Sequence, residues 1–430
     1  MRPNILVITS HDSGRHLACY GAGVATPAID SFAASGVKFT RMFSVAPICS
    51  PSRGALLTGT FPQRNGLMGL AGGQWAWELN DYHRHLSHVA RTAGYATHLF
   101  GHQHDTDFVE RLGFDELHAY LSPHDRSPAK NAPAIAEAFA AFCRERPSDP
   151  PFYAQMGFFE THTPHDFGGA VADDPADVEI PPFTCADDQT VRQAVAALNG
   201  ATRQLDRAIG ITLQALRDCG IERDTLVLFN TDHGPELPRG KWTMLDGGLG
   251  IASILRYPAG GVSHGRTCNG LFSNIDFLPT LADLTGLNIP HNCDGLSYAN
   301  SARDAQSTLV NDAIYALSVG SEYAVRTNRY KLIRRFQGER VPSRAHGPDG
   351  RPLLMPTLRL FDLSIDPLEL NNLADDPAHA TALHEMDSRL WRWLESVQDP
   401  ILRGPVPTPY YRTAIAAYHQ WQQQPESHSR

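Results

Sequence analysis

The sequence predicts an α/β fold with a mostly parallel central sheet and a smaller α+β unit behind it. Three observations carry that reading. Short apolar runs alternate with helical patterns from residue 5 to residue 285, as parallel strands joined by crossover helices do. Several of those runs end in polar clusters, which is how strands meet the ligand-binding edge of an open α/β sheet. After about residue 315 the alternation gives way to a hairpin and a late helix, so the chain divides into residues 1–315 and 316–430.

Taken in order, Ile5-Leu6-Val7-Ile8 is the first strand, and it runs into the polar stretch 9–14. Thr26 caps a helix with Pro27 at its first position, and Gly36 stops it. A strand at 37–43 leads to Cys49, which falls at a strand-to-helix turn with Pro51 near the first helical turn. Exposed amide groups and the positive end of a helix dipole would lie beside such a sulfur, a place that suits a nucleophile or an anion. Residues 85–93 read as a helix ended by Gly94, and 96–100 as a strand leading into His102 and His104. An alanine-rich amphipathic helix over 132–146 precedes a strand at 152–158, which ends at the His162–His165 segment. The longest helical pattern covers 188–218, weakened midway by Gly200. Strands at 225–229 and 251–257 and a helix at 275–285 complete the alternation. Beyond it, 324–333 is a hairpin turning at Thr327-Asn328, and 338–356, rich in Gly, Pro and Arg, reads as a loop. Residues 360–363 form a short strand, 380–397 a helix, and 420–430 a polar tail.

Composition excludes some classes. The formal net charge of −9 argues against a nucleic-acid partner, and an anionic substrate would need a local positive pocket. Seven cysteines without paired spacing indicate neither a disulfide framework nor a zinc ribbon. No apolar run is long enough to span a membrane. With no leader in the given chain, a bacterial cytoplasmic location is the expectation.

The polar residues at the strand ends are Asp12, Cys49, His104, His162 and the pair Asp232-His233. Strands of a parallel sheet share one carboxyl edge, so these groups can meet in space. Singly, each has a plain explanation: Asp12 as a helix cap, Asp232-His233-Gly234 as an Asx turn, Cys49 as a small buried hydrophobe.

Cys49-Ser50-Pro51-Ser52-Arg53, followed by Leu57-Thr58-Gly59, resembles the signature of the type I sulfatases. The likeness extends along nearly the whole chain. Arg2-Pro3-Asn4-Ile5-Leu6 with Asp12 is similar to that family's first strand and metal loop. Thr231-Asp232-His233-Gly234 with Gly240-Lys241 is similar to its second metal segment and its sulfate-binding lysine. The resemblance implies an alkaline-phosphatase-like sandwich with a smaller C-terminal α+β subdomain. It implies a formylglycine made from Cys49 by a formylglycine-generating maturase. It also implies one divalent metal, Ca²⁺, held by Asp12, Asp232, the modified Cys49 and His233; the imidazole of His11, if it ligates too, leaves Mn²⁺ or Zn²⁺ open.

By the same likeness, Arg53 steadies the nucleophile, Lys241 contacts the sulfate, His162 protonates the leaving group and His104 takes a proton from the second hydroxyl of the hydrated aldehyde. Two positions depart from the family pattern. His11 stands where an Asp is usual and either ligates the metal or only orients Asp12. His102 stands where a sulfate-contacting Lys is usual. Asn65 to Leu70, the stretch His162-Thr163-Pro164-His165 and the Asp232-His233 pair resemble the N-sulfoglucosamine sulfohydrolase branch. That points to the N-sulfate of glucosamine in heparin- or heparan-type saccharides, with His102, His165 and Lys241 on the substrate. Trp75, Trp77, Tyr82 and His83 form either an aromatic wall for a sugar or a core or lid. The alternatives are an O-sulfatase on a sulfated saccharide, a phosphonate monoester or phosphodiester hydrolase of the same superfamily, and a non-catalytic sulfated-glycan binder.

Overall fold

The computed structural model describes residues 2–72, 76–122, 127–304, 311–319, 322–336, 340–346 and 352–402. Its centre is an eight-stranded sheet. In spatial order the strands are Arg266–Cys268, Val37–Phe39, Ser253–Arg256, Thr225–Thr231, Asn4–Ser10, Phe152–Gly157, Ala96–His102 and Glu116–Leu121. Only Ser253–Arg256 runs against its neighbours.

The first strand shows why the apolar run is continuous. Asn4–Ser10 lies between two parallel neighbours and is buried along its length. Ile5 and Val7 enter the core on one face of the sheet, with Leu226, Leu228 and Tyr153. Leu6 and Ile8 enter the core on the other, with Val227, Phe229 and Met156. The helices Cys49–Thr58, Leu86–Thr92 and Phe277–Thr285 cover the first face; Pro27–Ser35, Ala132–Glu145 and Gln189–Asp218 cover the second. A strand covered on both faces has no polar side to show.

The expected strand at 37–43 is two strands in two sheets. Val37–Phe39 joins the main sheet, while Met42–Phe43 pairs with Phe272–Ser273 and Gly250–Ile251 in a small three-stranded sheet. The break falls at Thr40, whose amide donates to the Cys268 carbonyl, and at Arg41, whose carbonyl accepts the Phe272 amide. The strand expected at 251–257 divides in the same way, because Gly250-Ile251 belongs to the small sheet and Ser253–Arg256 to the large one. Thr26 precedes Pro27 as expected, but the free amides of Ala28 and Ile29 are met by the Asp206 carboxylate from the long helix. Sequence spacing cannot show a cap supplied from 177 residues away.

Past the large sheet, Ile314–Ser318, Glu322–Arg326, Tyr330–Arg335 and Leu358–Asp362 form an antiparallel sheet, backed by the helix Ala380–Ser396. The stretch 338–356, expected as a loop, carries strands instead. Arg340–His346 and Pro352–Pro356 form a separate two-stranded ribbon. Proline signals a break, yet a ribbon has two free edges where a missing N–H costs no ladder bond. Trp75 and the tail 420–430 lie outside the described residues.

Candidate active site

The register of the central strands builds the site. Ser10 pairs with Thr231 and Thr9 with Gly157, so three strands end together. Just beyond these ends, the Asp12 amide donates to Asp232 Oδ1 at 2.8 Å and the His233 amide to the same oxygen at 2.9 Å. Asp12 adopts a left-handed backbone, φ 51°, which turns its carboxylate into the same space.

The Cys49–Thr58 helix enters from the side, and all ten of its residues are buried. Cys49 is its first residue and Gly59, at φ 64°, closes it. Ser52 holds this end in place. Its hydroxyl donates to the Asp232 carbonyl at 2.5 Å, and Asn274 Nδ2 donates to both Ser52 oxygens at 2.9 Å. Ser50 Oγ accepts the Ala71 amide at 2.9 Å. The serines of the motif therefore fix the backbone that presents the sulfur.

Cys49 Sγ lies 3.3 Å from His233 Nε2, 3.7 Å from His11 Nδ1 and 3.9 Å from Asp12 Oδ1. With Asp232, these residues offer five donor atoms within 4.8 Å of one another, all buried. His233 Nδ1–H donates to the Gly234 carbonyl at 2.9 Å, which leaves Nε2 facing Asp12 Oδ1 at 3.1 Å. Burial opposes a charge on His233, but Asp232, Asp12 and Cys49 outweigh it and raise its pKa well above the ordinary value. The nest thus retains a proton where a cation fits, and the donor set suits a divalent metal.

His11 is part of the cluster. Its Nδ1 is 3.1 Å from Asp12 Oδ1 and 3.5 Å from Asp232 Oδ2, and its Nε2 is 3.1 Å from His102 Nε2. Burial, then Arg53, lowers the His11 pKa well below the usual value, so it is neutral, the form that ligates.

Positive charge surrounds the anions. Arg53 Nε donates to Asp232 Oδ2 at 3.1 Å, while its buried Nη2 has no partner. Lys241 Nζ donates to Asp12 Oδ2 at 2.5 Å and lies 3.1 Å from His162 Nε2. Burial works against the Asp12 carboxylate, but Lys241, then His162 and His233, hold its pKa well below the usual range. Burial lowers His104 to about 3, and Arg53, His162 and Lys241 add to the effect. His104 is therefore a neutral base at pH 7.

The structure brings Asp12, His11, Cys49, Arg53, His102, His104, His162, Asp232, His233 and Lys241 to one edge of the sheet. His165 sits in the adjoining turn, half-buried and outside the donor cluster. Trp77 and Tyr82 pack against Leu67, Ala71, Leu79 and Leu112, so they belong to a small core. His83 lies against His88 instead.

Three further residues, not evident from the sequence, hold the site in place. Asn274 stands beside Ile275-Asp276, at the start of the helix expected over 275–285. Thr161 Oγ1 donates to the His11 carbonyl at 3.0 Å, fixing the loop that carries His11 and Asp12. Asp105 is fully buried next to His104, under the influence of Arg53 and the Gln155 side chain. For Thr161 and Asp105, a polar residue directly beside an assigned histidine is the available signal.

The Sulfatase family model matches residues 3–287, and the model of the N-sulphoglucosamine sulphohydrolase C-terminal region matches residues 240–342. The chain is 26% identical to an ulvan-active sulfatase of Formosa agariphila, over 93% of this chain and 76% of that protein. It is 25% identical to human N-sulphoglucosamine sulphohydrolase, over 94% of this chain and 92% of that one. The solved structure of a phosphonate monoester hydrolase of Agrobacterium radiobacter superposes with a TM-score of 0.71 at 21% identity, covering 95% of this chain and 99% of the other. At that identity the likeness is one of fold, the alkaline-phosphatase-like α/β sandwich.

Proposed function

The chain belongs to the sulfatase family, whose members hydrolyse sulfuric esters, and from that premise we propose that it removes the N-sulfate of glucosamine in heparin- or heparan-type saccharides. The observation that carries the N-sulfate reading is the match of residues 240–342 to the sulphohydrolase C-terminal model, joined to the end-to-end likeness to the human enzyme.

Cys49, matured by a formylglycine-generating enzyme, supplies a hydrated aldehyde with one hydroxyl to attack sulfur and a second through which sulfate is expelled. Asp12, Asp232, His233 and His11 would hold a divalent ion that offsets the charge of the sulfate oxygens. Two imidazoles beside two carboxylates support Mn²⁺ or Zn²⁺ over the Ca²⁺ that the resemblance implies, since Ca²⁺ prefers oxygen donors. His11 would offer Nδ1 to such an ion, which would leave its Nε2, 3.1 Å from His102 Nε2, to be the donor of that contact. His102 then positions His11, and the sulfate contact falls to Lys241.

Arg53 offers its unpartnered Nη2 to the nucleophile or the sulfate. His162 Nδ1–H donates to the Thr163 carbonyl at 2.6 Å, which turns Nε2 to the Lys241 ammonium. The His162–Lys241 pair therefore holds the proton that the leaving nitrogen needs. His104, held neutral by burial, accepts the proton of the last step.

The test is sulfate release by the matured protein from N-sulfated against 6-O-sulfated glucosamine, with an aryl phosphonate monoester alongside. The mass of the Cys49 peptide and the metal content are read on the same sample. Preferred turnover of the N-sulfate supports the proposal. Preferred turnover of the O-sulfate or the phosphonate assigns the site to that substrate instead.

A further inference from the structure

On the far side of the sheet edge, away from Cys49, three side chains meet that the reaction does not use. His98 lies on the strand Ala96–His102, and Glu116 and His118 on its parallel edge neighbour Glu116–Leu121. His98 pairs with Glu116 and Phe100 with His118 across the ladder, so all three project from the same face. His98 Nδ1 is 3.1 Å from His118 Nε2 and 3.6 Å from Glu116 Oε2, and His118 Nε2 is 3.3 Å from that same oxygen.

These spacings fit a metal. Ligand atoms about 2.0–2.1 Å from a tetrahedral Zn²⁺ stand about 3.3–3.4 Å apart. The two rings are also held in place. His118 stacks on Phe100 at 4.4 Å and 9°, and the His98 ring centroid is 4.4 Å from that of Phe142. Rings fixed by packing lose little freedom on binding an ion. The open side of the trio faces a groove of about 560 Å³, bordered by Ala138, Phe142, Glu145 and Arg146.

We propose that His98, Glu116 and His118 bind a zinc-class divalent ion, with a fourth position open to the groove. Two imidazoles and one carboxylate are borderline donors, which favour Zn²⁺ over Ca²⁺ or Mg²⁺. The ion ties Glu116–Leu121, the edge strand of the sheet among the described residues, to the body of the sheet. This site is independent of the one at Cys49.

The full chain is stripped of metal, loaded with Zn²⁺ alone, passed through gel filtration and analysed for zinc. Wild type, Glu116→Gln and His118→Gln are compared. Wild type is expected to retain one more zinc per chain than either variant, and zinc to raise its melting temperature more. Sulfate release is expected to be unchanged by either substitution. Glu116 is exposed, so Glu116→Gln keeps the test valid if His118→Gln folds poorly. Equal zinc in all three proteins would mean that the trio is a hydrogen-bonded cluster only and would overturn the proposal.

Discussion

Asp105 shows what a single buried group does to this site. Burial raises its pKa from 3.8 to about 6, and Arg53 and the Gln155 side chain only partly offset that effect. An acid whose folded pKa is raised binds more protons folded than unfolded between the two values. Stability therefore falls as pH rises from about 4 to about 6 and stays lower above that, a difference of roughly 3 kcal/mol. Asp105→Asn removes this cost. Urea unfolding is expected to show the variant more stable than wild type at pH 8, with the gain gone at pH 4. A variant less stable at pH 8 would mean that the carboxylate is needed as the partner of Arg53.

At the scale of elements, the long helix Gln189–Asp218 carries a glycine that helix propensity alone would replace. A Cβ on Gly200 would stand 2.2 Å from the Val171 carbonyl oxygen, a backbone atom that cannot step aside. Gly200→Ala gains about 1 kcal/mol of helix propensity and loses about 1–3 kcal/mol to overpacking. It is expected to lower the melting temperature. Gly210→Ala, whose Cβ would meet only the Ala28 methyl at 3.3 Å, is the milder change and the control. A melting temperature raised by Gly200→Ala would refute the packing argument. The same helix marks what was legible. Its 3.6-residue pattern set both ends within a residue, because periodicity is local. Its glycine read only as a weakness, because Val171 is distant in sequence. The central strands and the Cys49 helix were legible for the same reason, as continuous apolar runs and one dense motif. The split of 37–43 between two sheets was not, since both halves look alike until their partners at Cys268 and Phe272 are in place. In the site, residue types at the strand ends were readable. The pairing of His11 with His102 depends on strand order and was not.

At the scale of the whole molecule, the small antiparallel sheet and the catalytic sheet are joined by a buried charge knot. Lys331 is fully buried, with Nζ 2.8 Å from Asp246 Oδ1 and 2.7 Å from Glu369 Oε1. Glu369 Oε2 also accepts the Asp246 amide at 2.6 Å, and Arg326 Nη2 bridges to Asp246 at 3.0 Å. One apolar cluster crosses the same boundary: Phe43, Met244 and Leu249 pack with Ile314, Ala324 and Phe361. The knot reaches the active site. Arg239, two residues before Lys241, donates to the Leu368 and Glu369 carbonyls. Two parts that share a core and a buried ion cluster should unfold together, so calorimetry is expected to show a single transition. Lys331→Met leaves Asp246 and Glu369 buried without their shared cation and should cost about 3–5 kcal/mol. Because Arg239 is held by the same segment, the variant should also lose turnover, although Lys331 touches no reacting group. Two separate transitions in wild type, or a Lys331→Met protein of wild-type stability, would show that the small sheet only rests against the catalytic sheet and does not brace it.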